Sequence, residues 1–232
     1  MPHVETFIDG VWFPSVSTIT GSVEKPWLEA WKTKWGLLAK RKTELANKIG
    51  TEFHRCVEEY INDGCFIVSC SFDDTQANRN MKKRIEGMVK SFVGWAASVD
   101  GEIHKTELKV ISRKYAYSGT LDAVGTFGGK PMLYDWKTSS RIYPDMDLQL
   151  VAYAQAYNEM KIKEWVELYE DAKVTYKPIK DGMIVHVSKD KPDFKVTTKV
   201  FKLGKQSLSK FLKLRANFND AARLPVITEA QK

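Results

Sequence analysis

The sequence predicts an α/β protein in which a mixed central sheet is flanked by helices and preceded by a helical layer. Three observations predict it. Apolar residues recur at helical spacing through most of residues 25 to 99. Short runs rich in β-branched and aromatic residues occupy about 102 to 137, with the turn-forming pair Gly128-Gly129 inside them. A second helical pattern, MDLQLVAYAQAYNEM, is then followed by two more strand-like runs.

Taken in order, FIDGVWF at 7 to 13 reads as a short hairpin about Asp9-Gly10, and helices are expected over 25 to 48, 50 to 63 and 78 to 99. KYAYSGTLDAVGTF and KPMLYDWK are expected to pair as a β-hairpin, after a further strand that begins near 102. The helix after TSSRIYP has Asp145 or Asp147 near its start as a cap. GMIVHVSKD and DFKVTTKVF read as strands joined by a Lys-Asp-Lys-Pro turn, and a closing helix is expected over 205 to 222. At 232 residues one domain is expected over 1–232, mainly helical to residue 100 and built on the sheet from 101 onward.

The chemistry concentrates in the hairpin. Asp122 lies in GTLDAV, and Asp135 and Lys137 lie in YDWKT. Two carboxylates on neighbouring strands are suited to a hard cation such as Mg²⁺ or Mn²⁺. Strand side chains alternate with period two, so Asp135 and Lys137 share a face while Trp136 points into the packing. A cation there polarises a phosphoryl oxygen, and an ammonium beside it orients water or stabilises the charge that develops on phosphorus. Gln149 and Tyr153, four apart on the next helix, share a face that reaches the substrate or the surroundings of the site.

The ordered set resembles the PD-(D/E)XK nuclease superfamily in its RecB-type exonuclease branch. His54 in GTEFHRCVEEYI, Glu107 in TELKV, Asp122 in GTLD, Asp135 and Lys137 in DWK, and Gln149 and Tyr153 in QLVAY match that branch's pattern over about residues 50 to 157. Leu121 stands where the superfamily's name has proline. FPSVSTITG and KPWLEAWK are similar to the start of single-strand exonucleases of the mitochondrial genome maintenance type and of phage relatives. The resemblance implies a restriction-endonuclease-like core and metal-dependent hydrolysis of DNA at strand ends. It implies that His54, Asp122, Asp135 and the Trp136 carbonyl hold one or two Mg²⁺ or Mn²⁺ ions. Lys137 then positions water, Glu107 assists the metal or water network, and Gln149 and Tyr153 hold the strand.

Each residue also has a plain structural reading. His54 lies among Phe53, Val57 and Ile61 as a core histidine does, Glu107 pairs equally well with Lys105 or Lys109 at a surface, and Gln149 and Tyr153 fit the rim and core of an amphipathic helix. Asp122 and Asp135 resist such readings, because charged groups on strands this apolar are costly to bury unless paired or metal-bound. A catalytically silent nucleic-acid-binding accessory and a restriction-type endonuclease are the competing functions.

The rest of the composition agrees. A net charge of +7 and a pI near 9.1 suit a polyanionic partner. Trp27, Trp31 and Trp35, at spacing four among Lys32, Lys34, Lys40, Arg41, Lys42 and Lys48, read first as the core side of an amphipathic helix and second as stacking surfaces for bases. Further basic residues in NRNMKKRIEGMVK and FKLGKQSLSKFLKLRANF are expected on helices whose charged faces line a groove. The cysteines Cys56, Cys65 and Cys70 all precede the hairpin, whereas the relatives with an iron-sulfur cluster carry one cysteine before the core and three after it; no cluster is expected. No apolar run approaches about 18 residues and no leader is recognisable, so no membrane partner and a cytoplasmic location are expected.

Overall fold

The computed structural model describes residues 6–8, 11–69, 75–160, 178–190 and 193–218. Strands β1 (Thr6–Ile8) and β2 (Val11–Phe13) pair antiparallel as the expected hairpin. Helix α1 (Val16–Gly21) follows, unanticipated from the sequence although Ser15 caps it through Oγ, which accepts from the Thr18 amide at 3.1 Å.

Helices α2 (Pro26–Trp35) and α3 (Leu38–Asp63) correct the expected boundaries. The break falls at Gly36, whose φ of +50° suits a residue without a Cβ, and not at residue 49. Helix α3 instead runs through Gly50, where an added Cβ would meet Thr138 Oγ1 at 3.3 Å, so the bare backbone lets the helix pass close to the sheet. It stops at Gly64, in the left-handed conformation typical of a helix end. Helix α4 (Gln76–Ser98) is capped by Thr75, whose Oγ1 accepts from the Asn78 amide at 3.3 Å.

Strands β3 (Gly101–Ser112), β4 (Tyr117–Phe127) and β5 (Lys130–Lys137) form an antiparallel meander. The turn between the last two is made by Gly128 and Gly129 at φ +55° and +71°, as two-residue hairpins require. Helix α5 (Met146–Glu159) crosses over to β6 (Asp181–Val187), which runs parallel to β5, and β7 (Val196–Lys202) closes the sheet antiparallel to β6. Helix α6 (Lys205–Ala216) ends within the predicted closing helix, whose remainder beyond 218 lies outside the described residues, as do Cys70 and part of the Lys-Asp-Lys-Pro turn.

The five-stranded mixed sheet, ordered β3-β4-β5-β6-β7, buries a core on each face. On one face Leu108, Leu121, Leu133 and Ile184 pack with Val16, Leu150, Ala154 and Phe211 of α1, α5 and α6. On the other, Ala123, Tyr134, Trp136 and Val185 pack with Phe53, Val57, Ile85 and Phe92 of α3 and α4. Trp136 is almost fully buried, with the Phe92 ring edge-on at a centroid distance of 5.0 Å.

The alternation of faces breaks at one level. In β3, the Thr106 hydroxyl meets Asn62 of α3 at 3.4 Å, yet Leu108, two residues on, belongs to the opposite core. In β4, Leu121 and Ala123 likewise fall on opposite faces. Thr106 pairs with Ala123 and Leu108 with Leu121, so both strands change phase at the same rung. Glu107 and Asp122 occupy that rung, and Glu107 has a φ of +48°, unusual for a residue with a side chain.

Candidate metal centre

Five elements converge at this break. β5 carries Asp135 and Lys137 on the face of Leu133, toward α5, while Trp136 turns to the other core. β4 supplies Asp122, β3 supplies Glu107, α3 supplies His54, and α5 supplies Gln149 and Tyr153.

Two sets of contacts organise them. Asp122 Oδ2 accepts the backbone N–H of Trp136 at 2.7 Å, and its Oδ1 lies 3.6 Å from His54 Nδ1. One ligand atom each from His54, Glu107 and Asp122 come within 4.8 Å of one another. Asp135 is not in that trio; its Oδ2 is paired with Lys137 Nζ at 2.6 Å. The ammonium also donates to Gln149 Oε1 at 3.1 Å, and Gln149 Nε2 donates to Tyr153 Oη at 3.2 Å. The structure thus brings His54, Glu107 and Asp122 together on one side and Asp135, Lys137, Gln149 and Tyr153 on the other. Trp136 contributes its main-chain N–H at the seam.

Asp135 is 1 % exposed, and its Oδ1 has no hydrogen-bond partner among the described residues. The Lys137 ammonium at 2.6 Å offsets the charge on Oδ2, and Oδ1 is left buried without a donor. Buried carboxylates left in this state are costly, and a cation relieves the cost. The donor set of carboxylate oxygens and an imidazole fits Mg²⁺ or Mn²⁺ better than a thiolate-seeking metal. The residues therefore fit the group their chemistry implies.

The electrostatics follow from burial among mixed charges. Burial pushes the Asp135 carboxyl up to about 6, opposed by Lys137 and aided by the neighbouring Asp122 charge. Burial and then the Asp122 charge raise Glu107 to about 7. Burial acts on Asp122 in the same sense, but His54, Lys137 and the Trp136 N–H outweigh it and hold the carboxyl below its usual range. For His54 and Lys137 burial disfavours the cation, and the aspartates overcome it and raise both values. At neutral pH Lys137 is an ammonium fixed between a carboxylate and an amide oxygen.

The plain reading of α2 is overturned: the helix buries none of its residues, so the three tryptophans are not core. Asp145 occupies the cap position of α5 but makes no capping bond; its carboxylate pairs with Lys25 at 3.2 Å, while Asp147 accepts from Ser207 Oγ at 2.7 Å. Tyr143, not singled out in the sequence, stacks on Trp27. Cys56 is buried and Cys65 exposed, and neither is in a disulfide among the described residues. No helix among the described residues is long and apolar enough to cross a membrane.

A family model of the PD-(D/E)XK nuclease superfamily matches residues 30–224. No curated protein matches the chain significantly in sequence. Solved structures that are similar include that of SSO0001, at 12 % identity and a TM-score of 0.38 over 93 % of this chain and 76 % of that one. A phage related exonuclease from Haemophilus somnus 129PT is similar at 12 % identity and a TM-score of 0.34, over 92 % and 90 % of the two chains.

Proposed function

The chain belongs to the PD-(D/E)XK nuclease superfamily, and from that premise we propose that it is a divalent-metal-dependent deoxyribonuclease acting on strand ends, an exonuclease of DNA replication, recombination or repair. The observation that carries the reading is the buried Asp135 carboxylate, paired through Oδ2 with the Lys137 ammonium and left without a donor at Oδ1. The preference for exonuclease rests on the match of His54, Asp122, Asp135, Lys137, Gln149 and Tyr153 to the RecB-type pattern. All of residues 1–232 are read as one nuclease domain in the cytoplasm.

In this reading Asp122, Asp135 and His54 hold Mg²⁺ or Mn²⁺, with the Trp136 carbonyl as a further ligand and Glu107 supporting the ion or its water. Bound there, the cation supplies Lewis-acid polarisation of the scissile phosphate and eases deprotonation of water. Lys137 orients the attacking water with an N–H and stabilises charge gathering on the phosphoryl oxygens. Gln149 fixes the ammonium by accepting a hydrogen bond from it through Oε1, and with Asp135 held by a second N–H the third is left for water or phosphate. Tyr153, its phenol kept neutral by burial, holds Gln149 and flanks the strand.

The test is incubation of end-labelled single- and double-stranded DNA, and of closed circular DNA, with Mg²⁺, Mn²⁺ or EDTA. The reading expects metal-dependent loss of label from linear substrates, none from Asp135→Ala or Lys137→Ala, and an intact circle. Binding without metal-dependent loss of label indicates the silent accessory, and a cut circle indicates an endonuclease.

A further inference from the structure

Helix α2 is joined to the segment between β5 and α5 by aromatic and charged contacts. The Trp27 ring stacks on that of Tyr143, with centroids 4.5 Å apart and planes inclined by only 8°. Trp27 remains 41 % exposed. The Tyr143 hydroxyl lies 3.0 Å from Ser140 Oγ, and the Arg141 guanidinium stands 5.0 Å from the Tyr143 ring. Lys25, just ahead of α2, pairs with Asp145 at the start of α5 at 3.2 Å.

Tyr143 sits in the connection between Lys137 and α5, the helix whose Gln149 holds that lysine. Tyr143 is six chain positions beyond Lys137, so the two backbones are at most about 22 Å apart, the length of roughly six stacked nucleotides. The surroundings carry the charge a phosphate chain needs. Residues 24 to 48 hold seven Lys and Arg against three Glu, and Lys32, Lys34, Lys40, Arg41 and Lys42 are exposed. The Lys42 ammonium stands 3.8 Å over the Trp35 ring, so cation and aromatic alternate along the surface.

We propose that the stacked Trp27 and Tyr143 rings form a platform on which the bases of single-stranded nucleic acid stack beside the candidate centre; this rests on the nuclease reading and names the form of its substrate. A near-parallel aromatic pair with an exposed ring is shaped to take another flat ring, and unpaired bases are flat rings attached to phosphates. Duplex DNA hides its base faces and has nothing to offer the platform except a terminal pair. The basic residues of α2 and α3 track the backbone, and the rings engage the bases without reading their identity.

The test is binding of fluorescent oligo(dT), intact or carrying one abasic residue at each position in turn, measured by anisotropy in EDTA so that no hydrolysis intervenes. Wild-type protein is expected to lose roughly ten-fold in affinity at one abasic position. Trp27→Ala and Tyr143→Ala are expected to bind intact oligo(dT) as weakly as wild type binds that abasic strand, and to lose nothing further when the base is removed. Trp27→Phe restores part of the loss, and circular dichroism checks that each variant is folded. Losses from variant and abasic strand that simply add, or no abasic position with an effect, overturn the platform. The nuclease reading fails separately: it is lost if wild-type protein hydrolyses no DNA with Mg²⁺ or Mn²⁺, whatever the anisotropy gives.

Discussion

The backbone N–H of Trp136 donates to Asp122 Oδ2 at 2.7 Å, so the strand that carries Asp135 and Lys137 also fixes the carboxylate of its neighbour. The Trp136 ring is locked in the opposite core against Phe92, Trp95 and Tyr134. One residue therefore ties the packing of α4 to the position of a candidate ligand. Orientation of this kind costs no reorganisation when a cation or substrate arrives.

Lys137 has two fixed partners, Asp135 and Gln149. Lys137→Ala is expected to lower metal-dependent hydrolysis by about 10²- to 10³-fold, the range for removing one charge-stabilising donor. Gln149→Ala leaves the ammonium in place but less constrained and is expected to cost about ten-fold in kcat with a smaller change in KM. Steady-state kinetics on a labelled strand separates the two, and equal losses in both variants contradict the assigned order of importance.

Asp135 stands at about 6 against an ordinary 3.8, and Glu107 at about 7 against 4.5. A raised carboxyl value means that the folded, cation-free protein holds its proton more tightly than the unfolded chain does. That contribution favours folding at low pH and is lost as pH rises from about 4 through about 7. Cations compete with the same protons, so the rise in Tm on adding Mn²⁺ is expected to be larger at about pH 8 than at about pH 5.5. Differential scanning fluorimetry measures it, and an equal rise at both pH values contradicts the participation of these two groups.

Gly119 lies on β4 under the helix that carries Gln149. An added Cβ there would approach the Tyr153 ring to 2.7 Å, and that ring is buried and hydrogen-bonded to Gln149. Gly119→Ala is expected to cost about 1–3 kcal/mol of stability by overpacking and to depress hydrolysis by displacing Tyr153 and Gln149. Urea denaturation and initial rates check both, and a variant with unchanged stability contradicts the close approach.

Much of this was legible because its signals are local. Gly128-Gly129 announces a turn, and period two places Asp135 and Lys137 on one face and Trp136 on the other. The parts that escaped depend on long-range packing. The rung of Glu107 and Asp122 was invisible because both strands change phase there together, and alternation in either sequence gives no warning. The run of α3 through Gly50 depends on the nearness of Thr138, residues away in the chain. The tryptophan stripe of α2 has the spacing of a core face, but none of its residues is buried, and spacing alone cannot distinguish a stripe that is fully covered from one that is not.

The central claim is that the side chains at this break hold a divalent cation, and titration of Mn²⁺ followed by electron paramagnetic resonance tests it most directly. The account predicts saturable loss of the free-ion signal with wild-type protein, competition by Mg²⁺, and binding weakened at least ten-fold in Asp122→Asn and Asp135→Asn that circular dichroism finds folded. Equal Mn²⁺ binding by wild type and both variants would contradict it.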